Sequence, residues 1–454
     1  MTTLEITGGR VLRPGRDGGT GSSRAADHSI EAADVLVGVE AGEILAVGPD
    51  VAEGTDATAG EAGGADETLD ASGGLVIPGL VNAHGHAAMT LLRGYADDKH
   101  LEAWLREDIW PAEAELTPED VAAGTRLAAL EMIRSGTTAF ADMYFHVGEV
   151  VDAVREAGLR ARVGHGVVTV GKDDEGAHAD FEESLSVAEK FDGAADGRVR
   201  TAVMPHAPHT VGSDYFAEFV PRARAAGVPF HFHLNETEVY VEEIGEEAGV
   251  RPAEYAADHD LLAEDTWVAH GVHIDAGEID RLADSGTAVV HCPASNMKLN
   301  SGMAPVQEML DAGVTVALGT DGAASNNDLD MFGELRDAAM LGKLAADDAE
   351  AVDADTAVRM ATEGGANALG IEAGRVEAGA KADLAVVDLE AAHLTPEHDL
   401  VSHLAYSAKG SDVRHTVCDG SVLMRDREVL TLEEDAVRER AETAARDLAA
   451  RARD

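Results

Sequence analysis

Two histidines one residue apart, His84 and His86, close an apolar run that begins at Leu75, in GGLVIPGLVNAHGHAAMTLLRGYA. In an extended chain the side chains of residues i and i+2 point the same way, so this pair offers two imidazoles to one metal ion. A lone His-x-His is also an ordinary polar junction between strand and loop. The pair gains meaning from similar residues at similar places further on: His233 in PFHFHLNET with Glu236 three residues later, His270 in WVAHGVH, and Asp321 in VALGTDGAASNN. Histidines with one carboxylate form a donor set suited to Zn²⁺ or a related divalent ion.

Each of these positions also has a plainer reading. His231 shares a face with His233, and the latter is favoured as a ligand because it stands nearer the strand end. His270 is favoured over His273 because it still belongs to the apolar run TWVAH. Asp321 precedes a glycine and could simply cap a turn. His291, His100, His178, His259 and the histidines of the tail read as structural.

The elements that must hold these residues are visible as strand-like runs at Leu75 to Asn82, Thr137 to Phe145, Arg160 to Val168, Val199 to Pro205, Pro229 to Leu234, Thr266 to Gly271, Thr287 to Cys292 and Thr315 to Gly319. Helical patterns separate them. Thr117-Pro118-Glu119-Asp120 supplies an N-cap, a first-turn proline and two acids, and Gly136 a stop. SDYFAEFVPRARAAG and DAGEIDRLADSG likewise end in glycine before a strand. Eight strands alternating with helices predict an α/β fold, a (β/α)8 TIM-type barrel, in which functional groups gather at the carboxyl ends of the strands. An open doubly wound sheet would place a glycine-rich phosphate loop after its first strand, where this chain has histidines.

Residues before about 70 form short strands separated by turn signals, and two stretches, Pro14 to Asp27 and Ala52 to Asp66, read as exposed loops. Strands return at KADLAVVDL and VRHTVCDGSVLMRDREVL, followed by a charged helix. The expected organisation is a small flanking β-sandwich domain built from both termini, residues 1–72 and 371–454, around a barrel at residues 73–370.

Whole motifs narrow the reading further. PGLVNAHGHAAMTLLRGYADD, WPAE, SGTTAFADMYFH, HLNET, AHGVH, NMKLNSGMAPVQEML and LGTDGAASNN together resemble the amidohydrolase superfamily, and within it the 5-methylthioadenosine/S-adenosylhomocysteine deaminases and archaeal 5′-deoxyadenosine deaminases. The resemblance implies one divalent ion, zinc or iron, held by His84, His86, His233 and Asp321. Superfamily members with two ions carry a lysine at the end of the fourth strand, and VRTAVMPHAPHT has none. It also implies hydrolytic deamination of the adenine of 5′-modified adenosines by a metal-activated water. In that reaction Asp321 takes the water's proton, Glu236 protonates the ring and His270 steadies the attacking oxygen. Glu113 and His206 would bind the nucleoside, together with Glu236 and Asp321. The arginines that meet the amino-acid end of S-adenosylhomocysteine in such relatives are missing after the third strand, where GHGVVTVGKDDEGAHADF offers His165, Lys172 and His178 instead. 5′-Deoxyadenosine, 5′-methylthioadenosine and adenosine are therefore the preferred substrates. The resemblance further implies a homo-oligomer. The rivals are a sister enzyme acting on guanine, a triazine or another aminated ring, and a metal-binding scaffold without turnover.

Composition sets the surroundings. The chain of 454 residues carries 85 acidic against 35 basic residues, a formal net charge of -50, and only seven of its cations are lysines. Such a surface repels polyanions, which argues against nucleic-acid and anionic-membrane partners. The acids are spread along the chain, and molar salt, with a Debye length of about 3 Å, would screen their mutual repulsion. A high-salt cytoplasm is the expected setting, and the melting temperature should rise from dilute buffer to molar KCl; equal melting in both would sink that expectation. Two cysteines, Cys292 and Cys418, fit a reducing compartment. No apolar run approaches the ~20 residues that span a bilayer, and the start lacks an export pattern.

Overall fold

The computed structural model describes residues 2–15, 28–51 and 65–453. Most of the two acidic loops expected near the amino terminus lies outside the described residues. The eight barrel strands are Leu80–Asn82, Thr137–Tyr144, Arg160–Val167, a fourth in two pieces (Val199–Thr201 and Met204–Pro205), His231–Leu234, Trp267–His270, Ala288–His291 and Val316–Leu318. Neighbours run parallel from the first strand to the fourth and from the fifth to the eighth. The two halves join through a parallel bridge between Val203 and Phe230. On the other side the Ala83 amide donates to the Leu318 carbonyl at 2.9 Å. The ring is thereby closed, as an (β/α)8 barrel requires.

Sequence chemistry explains the helices around it. Thr117 and Asp120 form a reciprocal capping box at the start of Pro118–Arg134, and Asp275 with Glu278 does the same for Ala276–Ser285. The expected glycine stops are present, Gly136 at φ 82° and Gly286 at φ 72°. Inside the barrel, small residues such as Ala139, Ala141, Ala202, Ala288 and Ala317 surround the fully buried Trp267. Ala366 and Leu369, from the helical run that follows the eighth strand, pack into the same cluster.

The expected strand from Leu75 to Asn82 is in fact two. Gly74–Pro78 pairs with Leu384–Asp388 and Arg10–Arg13 in a seven-stranded sheet, whereas Leu80–Asn82 opens the barrel. The partner changes at Gly79, whose amide donates to Asp383 while that of Leu80 donates to Gly136. A continuous apolar run could not reveal the switch, because both strands are buried on both faces.

The seven-stranded sheet combines strands from both ends of the chain, and it shares an apolar core with a four-stranded sheet of Thr3–Thr7, Asp34–Gly38, Glu43–Gly48 and Glu67–Asp70. Arg160, at the start of the third barrel strand, ties the barrel to this sandwich: its guanidinium donates to Asp383 at 2.7 and 3.1 Å and to Asp419 at 2.6 Å. No helix among the described residues is long and apolar enough to cross a membrane.

Candidate active site

Every residue expected to do chemistry lies at one end of the barrel. His84 and His86 follow the first strand, His206 the fourth and Asp321 the eighth; His233 stands near the end of the fifth strand and His270 closes the sixth. A Cβ at Gly319 would come within 2.8 to 2.9 Å of His84, so glycine alone lets the eighth strand approach the first so closely. Asp321 and His270 both have left-handed backbones, at φ 60° and 78°. Such conformations cost about 1–3 kcal/mol each and persist where surrounding bonds enforce them. Here the Asp321 amide donates to the His84 carbonyl at 3.1 Å and the Gly271 amide to Leu234 at 3.0 Å.

The side chains converge. Asp321 Oδ1 lies 3.4 Å from His84 Nε2 and 3.2 Å from His86 Nε2. His84, His86 and Asp321 form one group able to hold an ion, and His84, His233 and His270 an adjoining one. The outward nitrogens are already committed: His86 Nδ1 donates to the Met143 carbonyl at 2.8 Å and His233 Nδ1 to that of His206 at 2.6 Å. Each ring therefore turns Nε2 toward the shared centre. His84 Nε2 is buried with no hydrogen-bond partner. An orphaned lone pair beside a carboxylate and further imidazoles is what a divalent cation satisfies, so the residues fit a metal ion.

Electrostatics agree. Burial holds His84 down to about 4, and burial with neighbouring imidazoles keeps His233 well below its usual range. Burial also opposes protonation of His86, yet the hydrogen bond and charge of Asp321 push it up to about 9. Asp321 is itself held far below the carboxylate range by the two histidines despite its burial. Its Oδ2 accepts from Ser295 at 2.7 Å and Ser325 at 2.8 Å.

A cavity of about 660 Å³ opens above this cluster, within the size range of small-molecule sites. Glu236 lines it, with its Oε2 3.7 Å from His270 Nε2 and its Oε1 3.4 Å from the Ser301 hydroxyl. Burial, with the Asp321 charge, raises its carboxyl to about 7. Glu113 and His206 are on the wall as expected. Burial raises Glu113 to about 7, against the Tyr144 hydroxyl beside it. The fourth strand ends at Pro205, followed by His206, with no lysine there.

Sequence reasoning did not foresee the wall made by Leu101–Trp104, Leu105–Ile109 and Trp110–Glu113, a broken helical segment with a π-turn at its middle. It brings Leu101, Leu105, Arg106 and Trp110 to the cavity. The π-turn is a feature concentrated at functional sites, and the WPAE motif within the segment was the available signal. Asn296, whose side-chain oxygen lies 3.0 Å from His270 Nδ1, was equally unforeseen.

Residues 75–423 match the amidohydrolase family. A protein of Halobacterium salinarum named 5-methylthioadenosine/S-adenosylhomocysteine deaminase is 66% identical over 99% of both chains. A 5′-deoxyadenosine deaminase of Methanosarcina mazei is 48% identical over 85% of this chain and 89% of its own. Among solved structures, an adenosine deaminase from Xanthomonas campestris with bound zinc superposes with a TM-score of 0.88 at 35% identity, covering 98% of each chain.

Proposed function

Because the chain belongs to the amidohydrolase family, we propose that it hydrolyses the adenine amino group of 5′-modified adenosines, releasing ammonia and the inosine analogue. The observation that carries this reading is one cavity that joins a lone-pair cluster fit for a cation to a second carboxyl, Glu236, that burial raises to about 7. Relatives named for deamination of 5′-substituted adenosines support the substrate class.

His84, His86, His233 and Asp321 would hold one divalent ion, zinc in our assignment with iron as the alternative. When bound, it supplies a water acidic enough to attack at neutral pH. Asp321 accepts that water's proton. Glu236 donates its own to a ring nitrogen as the oxygen bonds to the amino-bearing carbon; the proton held on Asp321 then passes to the amino nitrogen, the carbon–nitrogen bond breaks with its electron pair leaving on ammonia, and the proton of the added hydroxyl returns to Glu236 as the carbonyl forms. His270, its Nδ1 engaged by Asn296, faces the attacking oxygen with Nε2. Glu113 accepts from the ribose hydroxyls and His206 contacts the nucleoside.

The cavity wall also carries apolar residues, Leu101, Leu105, Phe145, Val168 and Val170, which suit a 5′-deoxy or 5′-methylthio group. Two cations also line the cavity, Arg106 and Lys172, and the latter is already ion-paired to Asp180. S-adenosylhomocysteine is the weaker substrate in this reading because no arginine follows the third strand, and Arg106 is the cation left to meet its carboxylate.

Ammonia release in molar KCl from adenosine, 5′-deoxyadenosine, 5′-methylthioadenosine, S-adenosylhomocysteine, guanine and cytosine tests it. The adenosines should turn over and the free bases should not. Glu113→Gln should raise KM for the nucleosides about tenfold, the scale of a charge-assisted hydrogen bond. Preference for guanine would favour the sister enzyme, and metal retained without turnover on any compound would favour the scaffold.

A further inference from the structure

One buried histidine beside the cluster takes no part in that reaction. His231 begins the fifth barrel strand, two residues before His233, and is 0% exposed. Its Nδ1 is 2.8 Å from the backbone carbonyl of Trp267, and its Nε2 is 2.8 Å from Nδ1 of His84. A carbonyl has no proton to give, so the first contact is a hydrogen bond only when His231 carries its proton on Nδ1. The two ring nitrogens are spent on Trp267 and His84, and no carboxylate among the described residues is bonded to the ring. His231 Nε2 is then a bare lone pair, and the bond to His84 forms only when His84 donates from Nδ1.

That order of protons leaves His84 Nε2 unprotonated, and this is the atom that is buried without a partner and faces Asp321. His86 and His233 are oriented by backbone carbonyls, which accept under all conditions. His84 instead leans on a ring that could act as donor or acceptor, and Trp267 decides which. The indole also stacks on His231, with centroids 4.7 Å apart and planes 11° apart, and its Nε1 donates to the carbonyl of Ala83, the residue before His84, at 3.1 Å.

We propose that His231 is a positioning residue that, held by Trp267, fixes His84 as the Nδ1–H tautomer and so presents Nε2 to the divalent ion. The proposal rests on the reading of His84 as a ligand.

His231→Phe keeps a ring against Trp267 and removes both nitrogens; His231→Gln restores an acceptor near the position of Nε2. Zinc affinity of the full-length protein, measured by competition with a chelator, should fall about 10- to 100-fold in H231F, the usual effect of losing a group that orients a ligand. It should stay within about threefold of wild type in H231Q, with circular dichroism unchanged in both. Independently, nitrogen chemical shifts of the histidine rings in metal-free wild type should show His84 protonated at Nδ1 alone. Undiminished zinc affinity in H231F, or His84 protonated at Nε2 in the metal-free wild type, overturns the proposal. Failure of the wild type itself to bind zinc would remove the ligand assignment instead, and the wild-type control separates that result from a failure specific to His231.

Discussion

Glu236→Gln should lower kcat by about 10²- to 10⁴-fold, the range for a positioned general acid. At 1.36 kcal/mol per decade this is about 3–5 kcal/mol of lost transition-state stabilisation. The substitution preserves shape, and Glu236 is not among the groups that surround the candidate metal centre. Zinc content and melting temperature should therefore stay near wild type, and KM should change little. The pH profile supplies a second readout. Burial, reinforced by Asp321 and opposed by His270, raises the Glu236 carboxyl to about 7. A raised pKa keeps the acid form populated up to neutrality, so wild-type kcat should fall as pH rises through about 7. Glutamine cannot ionise, so the residual rate of the variant should lack that limb. A variant within tenfold of wild type, or one with the limb intact, would mean that the proton comes from elsewhere.

The site was readable in outline because its residues sit where strands end, and strands announce themselves by short apolar runs between glycine stops. His233, His270 and Asp321 could be placed without knowing how the strands were ordered. The depth of a residue within the barrel is another matter. The two-residue period puts His231 and His233 on one face, yet His231 bonds to Trp267 and His84, while His233 lines the cavity. No local pattern distinguishes these layers.

The wall from Leu101 to Glu113 was hidden for a different reason. Its helical pieces are four or five residues long, too short for a 3.6-residue period to emerge. Support for Asp321 comes from Ser295, 26 residues away in sequence, and support for the ring of His84 from His231, 147 residues away. Contacts of that range exist only once the barrel has closed. The switch of partners at Gly79 belongs to the same class, since neither sheet can be inferred from the run that crosses between them.

Asp321→Asn should abolish activity with little loss of stability, because the two oxygens of this carboxylate face different tasks. Oδ2 accepts from the hydroxyls of Ser295 and Ser325, and a hydroxyl can turn to accept from an amide instead. Oδ1 accepts from the Gly322 amide at 2.8 Å and lies against His84 and His86, a place the amide oxygen of asparagine can fill. The side chain thus keeps its hydrogen bonds and the left-handed turn at 321, which asparagine tolerates. What it loses is the negative charge and the ability to take a proton. The rate should fall at least as far as in E236Q, and zinc affinity should fall as well, whereas E236Q should keep its metal. A third measurement does not depend on turnover. In the metal-free protein desolvation opposes protonation of the half-buried His86, and the hydrogen bond and charge of Asp321 push it up to about 9. With that charge gone, burial should lower its titration from that value, a shift that nuclear magnetic resonance can follow. Unchanged zinc affinity together with unchanged His86 titration would show that the carboxylate does not govern the centre.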